Sequence, residues 1–274
     1  MTIASKQKVL LLSLILIIAT ALPAVAHDLF LKLDSFFVAI NDKVTVRILN
    51  GSFMSSEGAV RFERLADLSI VPPSGTRSKP KEAAFTNDEK TSYLSLQPPE
   101  SGNYLVGLST MAREIDLEAK SFNEYLTEDG IPDTLAQRER DKELDKNVRE
   151  RYSKHVKTLF QVGTSQTDNY KTVLGYPVEI VPRNNPYKLK SGDTFEFLCL
   201  RDGKPLGNQY VMTGHDDGTN LRIGENLRTD KKGIGRVKLN APGKWYVKFI
   251  QMTKLRDPSI NYESKWATFT FEMK

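Results

Sequence analysis

Three histidines and one cysteine are the side chains in these 274 residues best suited to chemistry: His27, His155, His215 and Cys199. His27 ends the stretch "LPAVAH", directly after the small-x-small run Ala24-Val25-Ala26. That run follows Lys6, Lys8 and an apolar segment over 9–22, the pattern of a secretory signal peptide cut after Ala26. The apolar segment is short for a membrane span, and no Lys/Arg stop-transfer cluster follows it. No cysteine stands at the cut, which argues against a bacterial lipid anchor. Processing there makes His27 the first residue of the mature chain. Its α-amine and imidazole then form a bidentate clamp, and an amine of pKa about 8 gives up its proton to a metal near neutral pH. A second imidazole completes a three-nitrogen, T-shaped site of the kind that suits Cu(II) or Ni(II). The amino-terminal copper/nickel motif needs histidine third in the mature chain, where Leu29 stands, so that motif is absent.

His215 is the second candidate ligand, in the polar stretch "TGHDDG" beside Asp216 and Asp217. The alternative for it is a structural or merely exposed role. His155 falls on an apolar stripe and reads as a packed, hydrogen-bonded side chain. Asp28, Asp216, Asp217 and Glu263 are possible oxygen ligands. Cys199, within the strand-like "FEFLCL", reads as a buried thiol, with a copper thiolate as the alternative. A lone cysteine forms no internal disulfide. No G-x-S-x-G, P-loop, H-E-x-x-H or C-x-x-C occurs, and no carboxylate spacing singles out an acid/base pair, so the expectation is a protein that is not an enzyme.

Cleavage leaves residues 27–274, enough for one large domain or two smaller ones. Removing Lys6 and Lys8 from 39 basic residues leaves 37 against 34 acidic ones, a weak excess spread along the chain. This balance, together with export, argues against nucleic acid as a partner. No membrane-spanning segment remains after processing, and the expected location is periplasmic or secreted.

These residues must be positioned by mostly β elements. Leu29, Leu31 and Leu33 alternate with Phe30, Lys32 and Asp34, and "VTVRIL" alternates before an Asn50-Gly51 turn. Residues 61–71 give a broken strand, 74–87 a polar surface loop, and 93–96 and 104–108 two further strands. Ser121-x-x-Glu124 and Thr134-x-x-Gln137 fit capping boxes, and Gly130 fits a helix stop. Leu144, Val148, Tyr152, His155 and Leu159, spaced four, four, three and four apart, predict one long charged helix from 134 to about 161. Strands return at 177–181, 194–200, 209–213, 235–239, 245–251 and 266–273, separated by Gly, Pro, Asn and Asp turn signals. The fold expected is mainly β: two Ig-like or transthyretin-like β-sandwich units, 27–115 and 164–274, with a helical insertion over 116–163. A weak echo links them. Tyr104 and Val106 follow Pro98 and Gly102, much as Trp245 and Val247 follow Pro242 and Gly243. The pieces "DGKPL", "TDKKGIG" and "PGKWYV" resemble transthyretin-like and carboxypeptidase-regulatory-like modules.

Over nearly all of its mature length the chain also resembles an exported domain-of-unknown-function family, once described as the periplasmic component of cobalt/nickel uptake systems. The resemblance runs in order through "AHDLFLKLDSFF", "VTVRILNG", "FNEYLTEDGI", "RERYSKHVKTLFQVG", "GYPVEIVPRNNP", "GKPLGNQYV", "TDKKGIGRVKL", "PGKWYVK" and "ESKWATFTFEM". It implies two sandwiches with a helical insertion outside the cytoplasmic membrane. It also implies Ni2+ or Co2+ as the metal, and a membrane metal transporter or outer-membrane protein as partner. The position matched as metal ligand is His27. Over 109–120, where relatives often carry further histidine, this chain has Met111-Ala112-Arg113-Glu114. Two other readings stand beside metal binding: a sandwich scaffold for protein or glycan, and a copper oxygenase built on an amino-terminal histidine brace.

Overall fold

The computed structural model describes residues 27–274, so the expected signal peptide lies outside the described residues. The alternation at the start of this region does what it predicts. Strand Asp28–Lys32 pairs antiparallel with Val44–Gly51, and Ser92–Leu96 and Phe85–Asn87 extend the sheet. Leu29, Leu31, Val44, Val46, Ile48 and Leu94 turn inward and meet Tyr104, Val106, Leu108, Val156 and Phe160 of a second sheet.

That second sheet is the spine of the molecule. It has ten strands, and its centre is Val148–Val162, which pairs antiparallel with Gly102–Thr110 and parallel with Tyr262–Met273. Side chains on a strand alternate between faces. Val156 and Phe160 therefore face the N-terminal sheet, while Leu159 faces the opposite way, into the C-terminal core. There it joins Phe249, Phe269 and Phe271, covered by a third sheet of Val178–Pro182, Thr194–Arg201 and Ile234–Lys238. The fold is thus mainly β, with the two sandwiches sharing one middle sheet. Lys157 and Glu179, both buried, tie the middle and third sheets at 2.9 Å, and Glu179 also accepts the backbone N–H groups of Leu174, Gly175 and Tyr176.

Sequence and structure part company at the helical insertion. It consists of α1 (Ala119–Glu128) and α2 (Pro132–Arg140), and it ends there. The expected helix over 134–161 is instead, from Val148 onward, the central strand. Neither expected capping box caps a helix: Ser121 and Thr134 lie inside α1 and α2, and Asn147 Oδ1 accepts the free Ala119 N–H from a distance in sequence. Gly130 does end α1, with φ +74°. The expected loop over 74–87 closes with a 3-10 turn and a short strand that buries Phe85.

The echo between halves has a physical basis. Gly102 and Gly243 each open a strand at positive φ, +144° and +132°. A Cβ at Gly102 would stand 2.7 Å from Pro73, and one at Gly243 would collide with the Asp216 carbonyl. Tyr104 and Val106 then face the N-terminal core, and Trp245 and Val247 the C-terminal one. Cys199 is a free, fully buried thiol in the third sheet, and burial pushes its pKa up. No described helix is long and apolar enough to cross a membrane.

Candidate functional site at the head of the first strand

The first strand lies across the middle sheet, with Thr268 and Thr270 hydroxyls donating to the Leu29 and Leu31 carbonyls. This carries His27 and Asp28 to the place where the N-terminal sheet, the middle sheet and the α1–α2 insertion meet. The even-numbered face of the middle sheet supplies Glu150, Tyr152, Lys154, Lys248, Ser264 and Trp266 there, and the end of α1 supplies Asp129. The result is a buried charge seam in an otherwise apolar junction.

Burying a charge is costly unless it is paired, so the seam can be read charge by charge. Lys248 binds both Asp28 and Asp129. Burial opposes its charge, yet the two carboxylates hold it above the ordinary lysine range. Burial lifts Asp129 to about 6, opposed by Lys248 and reinforced by Asp28. Glu150 is fully buried. Its Oε1 accepts from the Ser264 hydroxyl and, at 3.2 Å, from the Tyr125 hydroxyl, while Oε2 has no partner among the described residues. Burial pushes this carboxyl up to about 7. Lys154 donates to the His27 carbonyl and, at 3.0 Å, to Asn50 Oδ1, and it stands 5.6 Å from the Trp266 ring centre. Burial brings its ammonium down to about 8, against the pull of Asp28 and Asp129.

His27 itself is partly open, its ring side chain one-third exposed (33%), with Nε2 3.3 Å from the Glu57 carboxylate. The other histidines are elsewhere. His155 is buried between the Ser109 and Ser153 hydroxyls, and burial lowers its pKa to about 4. It is the packed, hydrogen-bonded side chain expected, but in a strand. His215 is not in a loop: it lies in strand Tyr210–Asp216, buried and stacked on Trp245 at 4.5 Å, with Nδ1 unpartnered among the described residues and its pKa lowered chiefly by burial. Both rings occupy the odd-numbered face of the middle sheet, whereas the first strand crosses the even-numbered face. The structure therefore does not bring His215 to His27.

The four possible oxygen ligands are engaged by cations: Asp28 by Lys248, Asp216 by Lys32 at 2.8 Å, Asp217 by Arg222 at 2.7 Å and Glu263 by Lys265 at 3.0 Å. Among the described residues no three His, Cys, Asp or Glu side chains converge as a metal-holding group. What sequence reasoning missed is Glu57 and the seam itself. Glu57 is one loop acid among many, with no motif around it. Lys154 and Glu150 lie inside the charged segment expected to be a long helix.

These features define a mainly-β protein of two sandwiches sharing a sheet, with a helical insertion over a buried charge seam. The family model for Domain of unknown function (DUF4198) matches residues 24–253, and the chain belongs to that family. Comparison with curated proteins found no match. Among solved structures, the chain is similar to the D0–D1 domain of intimin, at 14% identity over 88% of this chain and 96% of that one, TM-score 0.20. A DUF4785 family protein from Legionella pneumophila is similar at 9% identity over 80% and 50%, TM-score 0.23. A Salmonella alpha-2-macroglobulin is similar at 11% over 90% and 15%, TM-score 0.22.

Proposed function

We propose that the processed chain is an exported carrier of a divalent transition metal. Ni(II) or Co(II) is the cargo, Cu(II) the competitor, and the α-amine and Nδ1 of His27 are the donors. The observation that carries this reading is the Glu57 carboxylate on His27 Nε2. A carboxylate 3.3 Å from Nε2 attracts the ring proton to that nitrogen, and Nδ1, the nitrogen nearer the backbone, is the one placed to close a chelate with the residue's own amine. The ring's partial exposure lets an ion enter and leave. Two donors leave coordination positions open, which suits a cargo passed to a membrane transporter or outer-membrane protein better than a resident ion. The resemblance to cobalt/nickel uptake components points the same way.

A carrier is favoured over the copper oxygenase because both other histidines face away from the first strand, so one chain offers no second imidazole for a brace. The test is calorimetric titration of Ni(II), Co(II) and Cu(II) into protein whose first residue is verified by mass as His27. One site is expected. His27→Ala should abolish tight binding, and Glu57→Gln should weaken it about 10- to 100-fold, as loss of an outer-shell partner does. Unchanged affinity in His27→Ala rejects the assignment.

A further inference from the structure

Beside the head of the first strand lies a cleft of about 310 Å³ whose lining is basic and contains no acid. Arg61, Arg64, Arg113 and Lys154 line it, with Tyr152 and Thr110. Among the described residues, only Arg61 has a carboxylate in reach, Glu63 at 3.9 Å. Among the described residues, Arg64, Arg113 and Lys154 lack an ion-pair partner. The other buried lysines among the described residues are paired: Lys32 with Asp216, Lys157 with Glu179 and Lys248 with Asp28 and Asp129. Lys154 is the exception, buried with only neutral oxygens, of His27 and Asn50, as acceptors. An ammonium has three donors, so one remains.

The neighbours of Lys154 have spare donors too. Thr110 Oγ1 accepts the Lys154 backbone N–H, which leaves its own proton free to donate. The Arg64 guanidinium makes one long contact, 3.4 Å to the Met111 carbonyl. Arg113 sits opposite Tyr152 in the sheet register and is exposed. Burial and the nearby Arg113 charge both lower the proton affinity of Arg64, so the cluster is held together against its own repulsion. A cleft of this size is at the small end of ligand sites.

We propose that this cleft binds a compact oxyanion carrying two or more negative charges, a phosphate or a polycarboxylate, through the Arg64 and Arg113 forks, the Lys154 ammonium and the Thr110 hydroxyl. Guanidinium forks match the paired oxygens of both ligand kinds, and charge-assisted hydrogen bonds are the strong ones. The site does not depend on a metal at His27, so it stands or falls separately from the carrier reading.

The experiment is calorimetric titration of metal-free protein, residues 27–274, with inorganic phosphate and with citrate, in chloride buffer at fixed ionic strength. Saturable one-to-one binding of either probe is expected, and the tighter probe identifies the ligand kind. Arg64→Gln and Arg113→Gln, both at solvent-reached positions, should each weaken binding at least tenfold. Arg236→Gln, on the third sheet away from the cleft, should change it less than threefold. Lys154→Gln should also weaken it, with circular dichroism confirming that the variant is folded. Absence of saturation by both probes at 10 mM overturns the proposal, as does binding that Arg64→Gln and Arg113→Gln leave unchanged.

Discussion

Replacing Glu150 by glutamine should turn a pH-sensitive protein into a less sensitive one, and the size of the effect can be worked from the seam. The carboxyl is fully buried, and its pKa rises from 4.5 to about 7, chiefly through burial. A raised carboxyl pKa means that the folded chain binds the proton more tightly than the unfolded chain. Stability is then highest below about pH 4.5 as far as this group is concerned, and it is lost as pH climbs toward 7. One pKa unit is worth about 1.4 kcal/mol. Two and a half units cap the loss at roughly 3 kcal/mol, of which about 2–3 kcal/mol falls between pH 5 and pH 8. In Glu150→Gln the new amide keeps an oxygen for the Ser264 and Tyr125 hydroxyls and carries no charge to bury. Urea unfolding followed by tryptophan fluorescence is a direct readout, because Trp266 donates to Ser264 and stacks on Tyr125 at 5.6 Å. The stability of Glu150→Gln minus that of the parent should grow by about 2–3 kcal/mol from pH 5 to pH 8. Asp129 titrates in both proteins and largely cancels in the difference. Parallel pH curves for the two proteins would show that Glu150 does not carry the pH dependence.

Two structural predictions accompany it. Glu179→Ala strands the buried Lys157 ammonium and three backbone N–H donors, whereas Lys157→Met leaves Glu179 with those donors. The first should cost about 3–5 kcal/mol and the second less, by chemical denaturation; the reverse order would show that the backbone contacts of Glu179 contribute little. Gly243→Ala should cost about 1–3 kcal/mol, since it forces a side chain into a positive-φ position against the Asp216 carbonyl, and a neutral substitution would argue against the strand opening described.

The uneven legibility of this fold follows from where each strand sits. Antiparallel strands with short turns announce themselves by alternation and by Gly, Pro and Asn punctuation, so the C-terminal strands are readable. Val148–Val162 is not. Both its neighbours and both its faces are covered, and its charged residues Glu150, Lys154 and Lys157 are buried through partners distant in sequence. Such a strand need not alternate polar with apolar. Val148 and Tyr152 are four apart, as are His155 and Leu159, a spacing that one strand face shares with one helix face; the three-residue step from Tyr152 to His155 crosses faces and fits a helix by coincidence. His27 is legible through the cleavage pattern ahead of it. Glu57 and Lys154 are not, since each acquires its role only when a long stretch of intervening chain folds back to His27.

The most direct test of the carrier account is to block one nitrogen. Selective acetylation of the His27 α-amine leaves the imidazole, Glu57 and the fold in place and removes only the chelating partner. The account predicts that Ni(II) affinity, measured by calorimetry on mass-verified protein, falls by at least about a hundredfold, in line with the loss of one of two donors. An affinity within threefold of the unblocked protein would contradict it.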